Sequence, residues 1–397
     1  MKLFLLMVMM GHCVSLSAFA QESIELTEPT FVAPSDRLPV DFNINRANNN
    51  VAIEMHEGVL YLAWRSAPTH FASPNTKLFV MSSTDMGATW NSEKIIDLKT
   101  DIREPFFISI KGQLILQFFE AGDRPMQFKP KRMLRMVRKG PADWTELEAF
   151  GTPGEIPWEL KVRNNLVYMT SYIGDHYSAG QSNIAVHFSV STDGLNWVPV
   201  DPAHPVIYRG GVSEVGFEFT EEGKVFAVAR NEDGDLSGFG SLVGTSEQWG
   251  KGEWKFPEVS NLNRYDSPRM FRHGKEIYLV ARRDVGGPFG NRAWRHFPVN
   301  WKKWVNLVRY SFRPKRTALY KINQEKQEVE FLMDLPSAGD TAFPSIVQTD
   351  PDTFLIANYT SPLDEQKFTW IKGQLSKKGT GIYLMKLHFK SQASVSQ

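Results

Sequence analysis

The chain has one cysteine in 397 residues, Cys13. That cysteine falls inside "MKLFLLMVMMGHCVSLSAFA", where Lys2, an apolar run and Ala18-Phe19-Ala20 form the pattern of a cleavable leader, residues 1–20, ahead of Gln21. The apolar stretch is short of the ~20 residues a spanning helix needs, and His12 is too large for a lipoprotein cleavage site. The expectation is therefore export to the periplasm or the medium, no membrane insertion, and a mature protein without thiol or disulfide chemistry. Net charge is lacking too. Without Lys2 there are 44 basic and 44 acidic residues, so no global field draws in nucleic acid or an anionic membrane. His56, His187, His204, His273, His296 and His388 show neither HxH nor HExxH spacing, and no glycine-rich phosphate loop or dinucleotide fingerprint occurs. The sequence thus implies no metal and no cofactor. It also offers no long apolar face of period 3.6, which argues against a helical solenoid.

What is present is turn and strand material: 12% aromatics, 29 glycines and 23 prolines. One pattern recurs six times, a turn residue followed by an apolar strand-like run with a polar or aromatic end. The copies are "GVLYLAWRS" from Gly58, "GQLILQFFE" from Gly112, "NNLVYMTSY" from Asn164, "GKVFAVARN" from Gly223, "GKEIYLVARR" from Gly274 and "DTFLIANYTS" from Asp352. Their starts lie 54, 52, 59, 51 and 78 residues apart, close to one four-stranded blade each, with an insertion in the last interval. Six copies predict an all-β, six-bladed propeller built as a single domain over residues 21–397. Residues 21 to about 45 read as an N-terminal strand or lead-in, and the last eight or so as a frayed tail.

A second marker is "SSTDMGATW", in which Ser83, Asp85, Gly87, Thr89 and Trp90 fit S-x-D-x-G-x-T-W, with a shortened copy from Ser191 to Trp197. This predicts a hairpin in which Asp caps turn amides, Gly takes positive φ and Trp packs beneath. Asp85 and Asp193 are accordingly folding residues, not catalytic ones. The basic run Lys129 to Lys139 reads as a solvated edge strand, with a rim contact to a polyanion as the alternative.

In a propeller the runs nearest the axis end at a central depression. Arg65, Glu120, Tyr172, Arg230, Arg282, Arg283 and Tyr359 close such runs and are expected to converge there. Arginine binds carboxylate through two parallel hydrogen bonds, and aromatic faces stack on sugar rings, so the expected ligand is an acidic oligosaccharide or polysaccharide.

At these motifs, over most of the mature chain, the sequence resembles the sialidase superfamily. The resemblance rests on the Asp-containing hairpins, on "NINRANNN" with Arg46, on "SEVGFEFTEEGKVFAVARNEDGD" with Glu214 and Arg230, and on "KRTALYKIN" with Arg316. It implies a sialidase-like propeller in which Arg46, Arg230 and Arg316 clamp a sugar carboxylate. The alternative is that these arginines form surface or inter-blade salt bridges.

Two departures shape the expected chemistry. Phe343, in "GDTAFPS", stands at the position of the family's tyrosine nucleophile, and a benzyl group has no oxygen with which to attack. Tyr359 could serve only through a slip of alignment. At the acid/base position, "WRSAPTHFASPNT" offers His70, competent near neutral pH, or else a hydrogen-bonded loop histidine. Two reactions survive: hydrolysis with His70 protonating the leaving oxygen and Glu214 activating water, or β-elimination on a uronate with a histidine base and Tyr172 or Tyr265 as proton donor. The second resembles propeller lyases acting on ulvan-type polymers.

Arg103 and Glu104 in "DIREPFF", Asp266 and Arg269 in "YDSPRMF", and Asp340 complete the expected pocket, with inter-blade ion pairing or turn capping as their other readings. The sequence therefore predicts an exported glycosidase-like enzyme acting next to a carboxylated sugar. A lyase is the alternative, and a glycan-binding propeller without catalysis a second one.

Overall fold

A computed structural model describes residues 23–124, 128–176, 179–288 and 296–390. The expected leader and almost all of the expected tail lie outside these residues. Six antiparallel sheets of four or five strands are arranged as a six-bladed β-propeller. Their first strands, Ala47–His56, Asp101–Ile110, Ile156–Arg163, Val212–Phe219, Asp266–His273 and Thr341–Asp350, touch one another in a ring around the axis.

The six repeated runs are the second strands of the blades: Val59–Ala67, Gln113–Gly122, Leu166–Ile173, Val225–Asn231, Glu276–Asp284 and Thr353–Thr360. They are legible as near-continuous apolar runs because neighbouring blades cover both of their faces. Val225–Asn231 and Thr353–Thr360 are buried at every residue. The outermost strand of blade 5, Glu328–Asp334, has no such cover and is exposed or half-buried throughout. Large side chains wedge between sheets. Trp64 and Trp158 are fully buried, and Trp64 stacks on Phe79 at 5.4 Å; each such burial contributes about 2–3 kcal/mol.

Blade 6 closes the ring. Its outer positions come from the N-terminal strands Ser23–Leu26 and Thr30–Ala33, both paired with the C-terminal strand Gly381–Lys390. The two Asp-containing hairpins cap their own turns. Asp85 accepts from the Thr89 amide at 2.8 Å and hydroxyl at 2.6 Å, while Asp193 accepts from the Leu195 and Asn196 amides. Those bonds hold the Asp85 carboxyl down to about 2. Gly87 takes φ of +91° directly against the Trp90 ring. The basic run is not an edge: Met133–Gly140 lies between the second strand of blade 2 and two outer strands, with Arg135 on Glu148 and Arg138 on Glu93.

Two features position the site. Every first strand carries a register shift near its start, at Asn49/Val51, Arg103/Phe106, Pro157/Glu159, Val212/Val215, Asp266/Arg269 and Ala342/Ser345. Four of these bulges hold a non-glycine residue at positive φ: Asn50 (48°), Glu104 (53°), Ser267 (51°) and Phe343 (53°). The second feature is the long interval foreseen in blade 5. It contains the helix Val299–Ser311 (α1), which packs against the short helix Trp370–Leu375 (α2) of blade 6.

Candidate functional site at the roofed end of the axis

The starts of the first strands and the ends of the second strands bring a ring of charged groups to one end of the axis. On the blade 6 and blade 1 side, His70 sits in the loop after Val59–Ala67 with Nδ1 2.8 Å from Asp340 Oδ2. The other Asp340 oxygen accepts from the Tyr359 hydroxyl at 3.1 Å. Asp340 is wholly buried and the His70 side chain is 12% exposed. Burial lowers the His70 pKa from its usual 6.5, and Asp340 opposes without reversing that shift. Because a carboxylate only accepts, the pair places the proton on Nδ1 and leaves Nε2 as the acceptor of the neutral ring.

Next in the ring, Asp101 takes Arg65 Nε at 2.8 Å and Arg103 Nε at 2.5 Å, and Arg103 also donates to the His70 carbonyl at 2.8 Å. Arg65 is fully enclosed, donating further to Asn49 and the Phe71 carbonyl. These arginines therefore position the His70 loop. Glu104 follows, buried, with an oxygen that has no hydrogen-bond partner among the described residues. Burial, reinforced by nearby Glu214, raises its pKa well above the carboxylate range. Tyr172 lies buried against this carboxyl and is pushed up by burial and by Glu104.

Arg230 forms the densest part of the ring. It meets Glu214 at 2.5 Å, Glu232 at 2.8 Å and Asp266 at 3.3 Å, and Asp266 also takes Arg264 Nε at 3.1 Å. Glu214 receives the Ser267 amide at 2.9 Å, so the blade 5 bulge supplies one of its donors. Burial raises the Asp266 pKa, but Arg264, Arg230 and Arg282 outweigh it and keep the group ionised. Arg282 donates to the Thr341 carbonyl at 3.1 Å and lies under the rings of Trp370 and Tyr310, which closes the circle.

Helix α1 roofs this ring. Tyr310 points inward, with Lys315 3.8 Å and Arg264 4.5 Å from its ring centroid, and Asn300 accepts the Gly180 amide at 2.7 Å. Beneath the roof is a cavity of 390 Å³ lined by Arg230, Arg264, Glu232, Asp233, Lys303, Trp304 and Trp370. His70 adjoins it through Trp370, whose ring stands edge-on at 6.3 Å.

Not every expected residue joins. Arg46 is exposed, donates to the Pro68 carbonyl and lines a different cavity with Lys378. Arg316 is on the third strand of blade 5, where alternation buries Lys315 and Thr317 and turns Arg316 to the opposite face; its guanidinium donates to the Lys315 and Gln366 carbonyls. The same alternation separates Arg282, at the axis, from Arg283, which pairs with Asp334 in solvent. The expected three-arginine clamp is thus not assembled: of its members Arg230 alone enters the ring. Glu120 pairs with Arg132, and Tyr265 packs on Tyr320 beside a separate cavity.

Phe343 lies on the axis below Asp340, edge-on to Trp158 at 5.3 Å and stacked with Tyr359 at 6.3 Å. Burial and Asp340 push the Tyr359 hydroxyl well above its usual range, which leaves it a poor nucleophile. Arg269 lies deeper still, donating to the Trp158 carbonyl and covered by Phe106 and Trp158. Arg264, Glu232, Asp233, Lys303, Tyr310 and Trp370 carry no repeat signal. The one hint of the roof residues is the 78-residue interval. Among the described residues no group of three or more His, Cys, Asp or Glu could hold a metal ion.

No family model matches the chain, and no curated protein matches it in sequence. Solved structures do match in fold. A protein of unknown function from Dyadobacter fermentans has a TM-score of 0.59 at 14% identity, covering 92% of this chain and 99% of its own. The endosialidase of phage phi92 also scores 0.59, at 13% identity, over 94% of this chain and 70% of its own. Trypanosoma rangeli sialidase scores 0.52 at 13% identity over 86% of this chain, which spans about half of that enzyme (55%).

Proposed function

We propose that this protein is an exported, glycan-acting enzyme of glycosidase type, cleaving next to a carboxylated sugar at the roofed end of the propeller. Its shared fold with two sialidases supports the class, and the site supports the chemistry. The observation that carries the reading is the buried His70–Asp340 pair beside a cavity lined by Arg230, Arg264 and Lys303 and by the rings of Trp304 and Trp370. In this reading the cations meet the sugar carboxylate, Glu232 and Asp233 accept from hydroxyls, and the rings stack on the sugar face.

In this reading the proton roles follow the direction in which burial moves each group. Neutral His70, fixed by Asp340, takes a proton from water at Nε2 while the water oxygen attacks the anomeric carbon. Glu104, kept protonated by burial, gives its proton to the departing glycosidic oxygen. This reverses the role expected of His70 from sequence and puts Glu104 in place of Glu214, which is committed to Arg230 and the Ser267 amide. The same neutral histidine favours a second reading, elimination. There His70 removes the proton α to the carboxylate, the electron pair forms the C=C bond, and the leaving oxygen takes a proton from Tyr310.

The deciding experiment incubates the protein with sialosides, uronate-capped oligosaccharides and an ulvan-type polymer, following new reducing ends and ultraviolet enol absorbance together. Reducing ends alone mark hydrolysis, and both signals mark elimination. Binding with neither signal sinks the enzymatic reading. Glu104→Gln is expected to lower hydrolysis ~10²-fold and to remove the alkaline limb of the pH profile.

A further inference from the structure

Helix α1 is inside out. Its buried residues are Asn306 and Tyr310, while Trp301, Trp304, Leu307, Val308 and Phe312 are between 36% and 65% exposed. At 100° per residue Trp301, Trp304, Val308 and Phe312 cover the side opposite Asn306 and Tyr310, with Leu307 on its flank, and Leu375 of α2 is 58% exposed as well. An exposed group of large apolar side chains of this kind, on a protein whose net charge is only +1, marks a contact surface.

The charge around the patch is one-sided. Residues 296–316 contain six Lys and Arg and no Asp or Glu, and residues 366–380 contain four and none. Part of this charge is returned by Asp233 on Lys303, Asp284 on Arg313 and on the fully buried Lys315, and Glu365 on Lys378. Arg316 donates to backbone carbonyls and Lys372 lies over the Phe368 ring. The whole-chain balance conceals this segregation.

We infer that α1 is an interfacial helix that seats this end of the propeller on an anionic lipid surface, with Trp301, Val308 and Phe312 entering the headgroup boundary and the flanking cations meeting lipid phosphates. Aromatic and aliphatic residues on one helix side with lysine and arginine beside them are what such a surface selects. A glycan would use the rings but gain little from the aliphatic Leu307, Val308 and Leu375, which favours lipid over a soluble polyanion. At 13 residues α1 is about 20 Å long, too short to cross a bilayer. Trp304 belongs both to this side and to the cavity lining, and Leu307 on its flank lines the cavity too, so the cavity mouth opens beside the same surface.

The test measures co-sedimentation of the full chain with vesicles of phosphatidylcholine alone or mixed with phosphatidylglycerol. The double variant Val308→Ser/Phe312→Ser is made in the same background, so that the apolar leader is common to both proteins. Expected are partitioning about tenfold stronger onto the anionic vesicles, weakened by salt, a blue shift of tryptophan emission, and a roughly tenfold loss in the variant at unchanged Tm. Equal partitioning of wild type and variant, or none, overturns the inference. So does a concentration-dependent dimer that the variant abolishes, or retention of the protein by polygalacturonate without vesicle uptake.

Discussion

The two ends of the propeller axis are both charged, and they differ in what their charges are free to do. At the roofed end, Arg230, Arg264 and Lys303 line a 390 Å³ cavity, and Glu104 nearby keeps an oxygen without a hydrogen bond among the described residues. At the opposite end, Glu54, Glu159, Lys161 and Arg269 surround only 80 Å³. There Lys161 is bound to Glu159 at 2.9 Å, while Glu159 also accepts the Phe217 and Met270 amides. Phe343, Trp158 and Phe106 separate the two. Charge at an axis is therefore a poor marker of a site. Room and incompletely satisfied groups distinguish the roofed end, while the other end uses its charges to tie blades together.

Replacing His70 by Ala should break this comparison most. Cleavage should fall 10²- to 10⁴-fold with little change in Tm, and wild-type activity should show an acid limb below pH 6.5, because the folded-state pKa is lowered and the neutral base persists to more acidic pH. An active variant would remove His70 from the site. Arg230→Met comes next: it strands Glu214 and Asp266 in the interior and should cost about 3–5 kcal/mol of stability, measured by denaturant unfolding alongside loss of glycan binding.

Phe343→Ala opens the partition between the two ends. A loss of about 2–4 kcal/mol with cleavage reduced less than tenfold would fit a packing role, whereas complete loss of cleavage at unchanged stability would make Phe343 part of the site. The smallest effect on cleavage, none, is expected from Glu54→Gln at the far end. Burial raises the Glu54 pKa to about 7, so its contribution to stability is present below pH 4.5 and lost as pH rises through 7. The glutamine variant should match wild type near pH 4 and exceed it by about 3 kcal/mol at pH 8.

The blades were legible in the sequence because their second strands are covered on both faces, which leaves unbroken apolar runs such as "VFAVARN". The site was legible where those runs end, at Arg65, Arg230, Arg282 and Tyr359, at His70 in the loop that follows one of them, and at Arg103, Glu104, Glu214, Asp266 and Asp340 in the motifs around the starts of the first strands. Arg316 misled because a motif match fixes a residue along the chain but not the face of the strand it takes, and Arg46 because it falls in the bend just before its strand, exposed and turned to the Pro68 carbonyl. Helix α1 escaped because its apolar side points outward, so it has no buried apolar stripe to betray it. Tyr310 and Lys303 arrive on that helix, without any repeat to announce them.

The bulges give the axis a further property. Asn50, Glu104, Ser267 and Phe343 occupy the same left-handed kink in four different blades. One backbone shape thus presents an amide, an acid, a hydroxyl and a ring to a shared centre. Chemistry here is modular: a residue exchanged at one kink alters what the centre can do while the strand around it stays paired. A propeller of this construction can change the groups at its centre by substitution at a few equivalent positions, and Phe343 fills one of them with a side chain packed on Trp158 and Tyr359.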